Sequence, residues 1–372
     1  MPNLSRADDS VLGRWWWSVD RWTLGAVGLL ISFGFIMMQA ASPAVAERLH
    51  ISRDIFVFKQ IAFLLLAGSV TIGVSMLSPR QIRHLAILGG CIALLMTAAT
   101  LVAGTEIKGA RRWVSLPGMS VQPSEFLKPC FAVAAGWLIA QWQRRRQYGG
   151  MIGAAAIFGI IAVLLMKQPD VGMMAVITVV FLMQLYIGGL HLVLMMLGAG
   201  LAGGGAVLAY IMSDHVRGRV QKFWSGTGDH YQVDTAMEAF GNGGLMGRGP
   251  GEGRVKDVLP DAHADFVFAV TGEEFGMVLC LIILAIFGFI VLRGLLRLLK
   301  EHDAFVVLAC TGLVAGFGLQ AFVNMASTMA MIPTKGMTLP FISYGGSSAV
   351  AVALGIGMLL GLTRRRNRED ES

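Results

Sequence analysis

The chain has 372 residues, of which 55% are hydrophobic and 14% are charged, and its formal net charge is +7. With a mean hydropathy of +0.66, this composition excludes an ordinary soluble domain, in which about a quarter of the residues carry charge. Apolar runs of about 20 residues recur throughout, and each is long enough to cross a bilayer. The sequence therefore predicts an all-α polytopic membrane protein rather than two or three soluble domains. Much of the positive charge lies at the ends of these runs, where it sets topology, so it does not indicate a nucleic-acid partner.

The first predicted element is a charged, Trp-rich segment, residues 1–21, which lacks the features of a cleavable signal peptide. Its tryptophans, together with the one that follows it directly, are typical of an aromatic anchor at the membrane surface. These residues are Trp15, Trp16, Trp17 and Trp22.

Ten membrane-spanning helices are predicted after this segment, and basic residues cluster in alternate loops. That charge pattern and the even number of spans predict that both termini are cytoplasmic. Residues 22–363 are thus expected to form one transmembrane domain, residues 364–372 a cytoplasmic tail, and residues 213–264 a large external loop between the seventh and eighth spans. The predicted spans lie near residues 22–41, 56–76, 85–104, 123–142, 151–167, 172–188, 190–212, 265–292, 304–330 and 346–363.

Asp265 lies where the large loop meets the eighth span. A carboxylate in a membrane span costs free energy, and such a group therefore usually has a partner, faces a cavity or serves a function. If the helix begins near Asp261, the two carboxylates share a face at i,i+4. The alternatives are a helix-terminal carboxylate stabilised by the helix dipole and a functional group. Metal binding by Asp265 stays open as well.

Two further polar intrusions are predicted to face the same external side. Glu125 and Lys128 are i,i+3 in the first turns of the fourth span and can form an ion pair, either as an ordinary surface pair or as the lining of a polar cavity. The segment Met331–Ala349 interrupts apolar sequence with proline, glycine and hydroxyl residues. Irregular backbone at membrane depth is tolerated only inside protein or along a cavity. We therefore expect this segment to fold back as a wall, with Lys335 available to an anion.

Three motifs resemble the SEDS family, the shape, elongation, division and sporulation proteins, and most closely its division branch. They are KGARRWVSLPGMSVQPSEFLKP (108–129), GGLMGRGPGEGRVKDVLPDAHADFVFAVTGEEFG (243–276) and IPTKGMTLPFISYGGSSA (332–349). The resemblance extends from about Trp15 to Arg366. One departure stands beside Asp265, where Ala264 replaces the threonine usual in the family.

This resemblance implies a peptidoglycan glycosyltransferase that polymerises lipid II at the outer face of the bacterial inner membrane, at the division septum. The expected partners are a class B penicillin-binding protein transpeptidase, other divisome membrane proteins and membrane lipids. The resemblance places the essential carboxylate of the family on Asp265, as the candidate general base. The residues expected to support the cavity are Gln122, Ser124, Glu125, Lys128, His263, Lys335 and Ser343.

The departing diphosphate requires positive charge, and the sequence offers several sources for it. A divalent cation, Mg²⁺ or Mn²⁺, is one alternative. The candidate side chains are Arg217, Arg219, Lys222, Arg254 and Lys335. Two other functions stay open at this point, namely a lipid II flippase and a non-enzymatic scaffold of the division machinery.

Overall fold

The computed structural model describes residues 10–48, 53–107, 110–116, 119–145, 148–212, 217–218, 221, 231–333 and 336–365. Helices account for most of them, together with one small sheet. The helices are α1 (Val11–Ser18), α2 (Arg21–Arg48), α3 (Arg53–Ser75), α4 (Pro79–Ala103), α5 (Pro123–Arg145), α6 (Gly149–Lys167), α7 (Val171–Ile187), α8 (Leu192–Met212), α9 (Tyr231–Gly243), α10 (Val255–Val258), α11 (Val267–Leu298), α12 (Ala304–Thr328) and α13 (Gly346–Leu362).

Helices α2 to α8 and α11 to α13 coincide with the ten predicted spans to within a few residues at most ends. Six of these helices contain a stretch long and apolar enough to cross a membrane, namely α2, α3, α4, α6, α11 and α12. Helices α7 and α13 are apolar but shorter, at 17 residues each. The protein is thus a mostly helical, multi-pass membrane protein.

A three-stranded antiparallel sheet between α4 and α5 was not predicted. Its strands β1 (Thr105–Ile107), β2 (Ala110–Leu116) and β3 (Met119–Val121) lie in the order β1-β2-β3. In this sheet Thr105 pairs with Trp113, and Val114 pairs with Val121. The sheet leads directly into α5 and so fixes where the polar first turn of that helix begins.

Helix α5 lies at the centre of the bundle, in contact with α4, α6, α7, α12 and α13. Its contact with α12 is close because Gly136 has no side chain. A Cβ at this position would lie 2.6 Å from the backbone nitrogen of Ala309. Small residues at helix crossings allow such approach inside membranes, and it brings the polar residues of α5 and α12 within reach of one another.

The N-terminal segment is attached to the bundle by buried polar contacts. The indole nitrogen of Trp15 donates to the hydroxyl of Ser75 at 2.8 Å, and Trp15 is buried. The expectation of an interfacial anchor is therefore wrong for Trp15, whereas Trp22 is 70% exposed. Asp20 accepts two hydrogen bonds from Arg293, at 2.7 and 2.8 Å. These contacts join the segment to α3 and α11.

Helix α11 is broken at Gly276, whose dihedral angles are φ 80° and ψ 179°. The loop 244–249 fills the break with backbone hydrogen bonds. The amides of Arg248 and Gly249 donate to the carbonyls of Glu273 and Glu274, each at 2.9 Å. In return, the carbonyls of residues 244 and 245 accept from the amides of residues 277 and 278, at 3.0 and 3.3 Å. The break therefore leaves these backbone groups paired, as a nonpolar environment requires. We call this arrangement the α11 clasp.

Candidate functional site

Asp265 lies in a turn, residues 261–265, that precedes α11. The backbone amide of Asp265 donates to the carbonyl of Asp261 at 3.0 Å, but Asp261 has a positive φ of 54° and the helix begins only at Val267. The expected i,i+4 helix face is therefore replaced by a turn, because the chain at Asp261 is left-handed. The side chain of Asp265 is partly buried, so it lies at a boundary between protein interior and solvent.

Three consecutive carbonyl groups in this turn accept hydrogen bonds from other parts of the chain. The carbonyl of His263 accepts from the amide of Tyr344 at 2.8 Å, and that of Ala264 accepts from the hydroxyl of Ser343 at 2.5 Å. The carbonyl of Asp265 accepts from the side-chain amide of Asn324 at 3.0 Å. The backbone that carries the Asp265 carboxylate is thus held in place from α12 and from residues 343–344.

The predicted wall segment lies against this turn. Of its described residues, 337, 339–343 and 347–349 are buried, and its backbone is irregular up to the start of α13. Gly336 has φ 63°, and a Cβ there would lie 3.5 Å from Oδ2 of Asp265. Burial raises the pKa of the Tyr344 hydroxyl, whose neutral ring lies 5.3 Å from the ring of His263. The wall segment therefore forms one side of the Asp265 site.

Glu125 and Lys128 form a buried ion pair, with Nζ 2.7 Å from Oε2. The pair belongs to a closed set of hydrogen bonds. Lys128 donates to Oε1 of Gln320 at 2.5 Å, and Gln320 donates to the carbonyl of Thr338 at 3.1 Å. The hydroxyls of Thr338 and Ser348 are 2.7 Å apart, and Ser348 donates to Glu125 at 3.2 Å. The set joins α5, α12 and α13 to the wall segment. This geometry matches a pair that organises the interior rather than a surface ion pair.

Gln122 and Ser124 lie beside this set at the start of α5. The side-chain amide of Gln122 donates to the hydroxyl of Ser124 at 3.1 Å and to Asp170 at 3.4 Å. Arg112 of β2 lies 3.5 Å from the same carboxylate and donates to the carbonyl of Pro169 at 2.6 Å. These contacts fix the turn between α6 and α7 next to the polar site.

A small cavity of about 40 Å³ lies next to the ion pair, between α5, α7, α12 and α13. Its lining is apolar except for Glu125, Lys128 and Gln320. Asp265 does not line it. The charged pair therefore separates an apolar cavity from the wall segment that contacts Asp265.

The structure describes only part of the predicted cation set. Lys335, Arg219 and Lys222 lie outside the described residues. Arg217 donates to the carbonyl of Ile211 at 2.6 Å, and Arg254 is exposed. No group of three or more His, Cys, Asp or Glu suited to a metal ion occurs within the described part of the chain. The sites of the diphosphate and of any cation therefore stay predictions.

Sequence reasoning missed a second buried charged group, next to the α11 clasp. Lys256 donates to Glu274 at 2.6 Å and to the carbonyl of Ala40 at 3.0 Å. Glu273 accepts from the amides of residues 254 and 255, at 3.1 and 2.9 Å. Neither carboxylate is exposed by more than 1%. Two adjacent glutamates inside a predicted apolar span were the signal that could have revealed it, because intramembrane carboxylates need partners.

Sequence reasoning also missed Gln320 and Asn324. They lie i,i+4 on α12 and therefore share a helix face, and both are buried. The available signal was two carboxamides spaced one turn apart in an otherwise apolar helix.

Comparisons with known proteins agree with this architecture. The family described as "Cell cycle protein", which groups FtsW, RodA and SpoVE, matches residues 21–368. The chain is similar to a protein of Caulobacter vibrioides named "Probable peptidoglycan glycosyltransferase FtsW", with 42% identity over 97% of this chain and 93% of that one. An Escherichia coli protein of the same name is 34% identical over 92% of this chain and 85% of its own length.

A solved structure has the same fold over nearly the whole chain. It comes from work described as "Structural coordination of polymerization and crosslinking by a peptidoglycan synthase complex". The TM-score is 0.76 at 25% identity, and the likeness covers 93% of this chain and 97% of that one. The fold and the polar site thus define a polytopic membrane protein with a buried ionisable centre. The chain belongs to the FtsW, RodA and SpoVE family, which is the SEDS family.

Proposed function

We propose that this protein is a peptidoglycan glycosyltransferase that polymerises lipid II, with Asp265 as its general base. One observation carries the proposal. The Asp265 carboxylate lies on a turn in which the carbonyls of residues 263, 264 and 265 accept hydrogen bonds from α12 and from residues 343–344. A general base is effective only when it is held within reach of the proton that it accepts. These hydrogen bonds fix the backbone that carries the Asp265 carboxylate. The names of the two FtsW relatives support the reaction class.

The reaction joins a sugar 4-hydroxyl to the C1 carbon of a second, lipid-linked sugar. Asp265 accepts the hydroxyl proton as the new C–O bond forms, and the bond between C1 and the diphosphate oxygen breaks with both electrons leaving on the diphosphate. A positioned base contributes about 10²–10⁴-fold in rate. Since diphosphate leaves as an anion, it requires positive charge rather than a second carboxylic acid. Asp265 therefore acts without the paired acid of a glycosidase.

Glu125 and Lys128 serve a different purpose in this proposal. The two side chains form an ion pair with each other, and each also forms a hydrogen bond, Lys128 with Gln320 and Glu125 with Ser348. They keep the interior of the bundle polar and ordered next to the wall segment. We assign the stabilisation of the diphosphate to the cations of the external loop and Lys335, or to a divalent cation.

The cellular setting follows from the same proposal. The enzyme works in the bacterial inner membrane at the division septum, with its site facing the periplasm. Its partner is a class B penicillin-binding protein transpeptidase that crosslinks the new glycan. The solved structure with the same fold supports such a partner, because it concerns a complex that couples polymerisation and crosslinking.

The decisive experiment measures glycan chains made from labelled lipid II by the purified protein together with its cognate transpeptidase. We expect Asp265→Asn to lower the rate about 10²–10⁴-fold, since the base is lost. The matched control is Asp261→Asn, which removes a carboxylate four residues away. Asparagine tolerates the left-handed conformation at that position, so this control keeps the turn intact.

Wild-type glycan synthesis by Asp265→Asn would refute the assignment of the base. A protein that transports labelled lipid II across vesicles but makes no glycan would instead support the flippase alternative. Normal division in cells whose Asp265→Asn protein reaches wild-type membrane levels would support a scaffold.

A further inference from the structure

The side chain of Asn324 connects the Asp265 turn to the wall segment. Its Nδ2 donates to the carbonyl of Asp265 at 3.0 Å and to the carbonyl of Met337 at 2.6 Å. The residue is only 1% exposed. A carboxamide between two carbonyl oxygens must present its NH₂ group to both, because oxygen has no proton to donate. The side chain is thus a bridge between two backbone segments.

The carbonyl of Asp265 lies just before α11, next to the carbonyl of Phe266 that the first turn of the helix uses. The amides of Ala269 and Val270 donate to the carbonyl of Phe266, at 2.9 and 3.2 Å. A buried carbonyl requires a donor, and α12 supplies one at this position. Asn324 therefore holds Asp265 directly, through the backbone carbonyl of Asp265 itself.

The second acceptor, the carbonyl of Met337, connects Asn324 to the part of the wall segment that lies next to the Asp265 carboxylate. Met337 follows Gly336, whose missing Cβ would lie 3.5 Å from Oδ2 of Asp265. Movement of residue 337 therefore changes the space next to the carboxylate. One turn earlier on α12, Gln320 donates to the carbonyl of Thr338 at 3.1 Å. Helix α12 thus sets the position of the wall segment at two successive residues.

We propose that Asn324 is a positioning residue for Asp265, which sets the distance and direction from the carboxylate to the acceptor hydroxyl without contacting the substrate. This inference rests on the proposed function of Asp265. Small displacements of a catalytic group cost large factors in rate. Loss of Asn324 is therefore expected to lower turnover rather than substrate binding.

The test is steady-state glycan synthesis by Asn324→Ala, with kcat and KM for lipid II measured separately. We expect kcat to fall about 10–100-fold, with KM changed by less than about threefold. A matched control exists in Gln184, which is also a buried carboxamide. Its Nε2 donates to the carbonyls of Ala132 and Leu308, at 2.6 and 2.9 Å. Gln184→Ala is expected to lower the melting temperature as much as Asn324→Ala does, but to leave kcat within about threefold of wild type.

Equal losses of kcat in Asn324→Ala and Gln184→Ala, or wild-type kcat in Asn324→Ala, would overturn the inference. If Asn324→Ala does not fold, Ser343→Ala removes another donor to the same turn and takes its place, with the same expected fall in kcat at constant KM. Asp265→Asn is measured alongside. If it is inactive while Asn324→Ala is normal, only this inference fails. If it is fully active, the proposed function itself fails.

Discussion

The α11 clasp leads to a quantitative prediction about Gly276. Its backbone, at φ 80° and ψ 179°, lies in a region open essentially only to glycine. An added Cβ would lie 2.3 Å from the carbonyl oxygen of Leu245 and 2.4 Å from the nitrogen of Gly247. Both are backbone atoms and cannot rotate away. Gly276→Ala therefore forces the loop out of the break in α11.

The cost follows from two contributions. Strain of the alanine backbone is about 1–3 kcal/mol. Opening the clasp gives up four backbone hydrogen bonds, those between residues 248–249 and 273–274 and between 244–245 and 277–278. Each contributes about 1 kcal/mol net. The expected destabilisation is roughly 5–7 kcal/mol, a large share of the 5–15 kcal/mol that is typical of folded proteins.

The assay is thermal unfolding of the purified protein in detergent, followed by glycan synthesis at a temperature where both proteins are folded. We expect Gly276→Ala to lower the melting temperature by roughly 6–9 °C, because an unfolding entropy of about 2.1 cal/mol/K per residue makes about 0.8 kcal/mol/K for 372 residues. Gly288→Ala is the control, because Gly288 lies in the same helix and no atom is within 4 Å of an added Cβ. Equal melting temperatures for the two variants would show that the clasp does not stabilise the fold as argued.

Two more predictions concern buried charges. Lys256→Met leaves the carboxylate of Glu274 buried without its cation, which costs about 3–5 kcal/mol; the melting temperature should fall, and adding Glu274→Gln should restore part of the loss. A double variant no more stable than the single one would argue against this pairing. Burial works to raise the pKa of Asp20, but hydrogen bonds from Arg293 and Thr23 outweigh it and lower the pKa below 3.8. A lowered pKa in the folded protein gives stability that is complete above the ordinary pKa and is lost as pH falls through the lowered one. The melting-temperature difference between wild type and Asp20→Asn should therefore be full near neutral pH and shrink below about pH 3.8; a constant difference would contradict the assignment.

The helices were predictable from the sequence because the length of an apolar run is a sufficient signal for a membrane span. Even the short links near Lys167–Asp170 and at 188–190 were placed correctly, since α6, α7 and α8 end and begin there. The sheet was missed because β2 is only seven residues long and its partner strands have three each. Trp15 was misplaced because a tryptophan beside a span is typical of the interface, and its partner Ser75 is 60 residues away.

The polar pair in α5 could be predicted, but its surroundings could not. Spacing of i,i+3 brings Glu125 and Lys128 together whatever the tertiary structure. Their other partners come from distant parts of the chain, since Gln320 is 192 residues from Lys128 and Ser348 is 223 residues from Glu125. Nothing in the local sequence encodes such pairings. A sequence can show that a polar side chain inside a membrane requires a partner, without showing which partner it has.

Ala264 illustrates how the structure changes the meaning of a local departure. Where a threonine is usual in the family, alanine lacks a hydroxyl group that could form a hydrogen bond beside Asp265. The residue that caps α11 is Phe266 rather than residue 264. Residue 264 contributes its backbone, since its amide donates to the carbonyl of Asp261 at 3.0 Å and its carbonyl accepts from Ser343. Alanine and threonine supply the same two backbone groups. The position of the carboxylate is therefore determined by donors on α12 and in the wall segment, and substitutions at Asn324 and Ser343 should disturb it more than the change at residue 264 does.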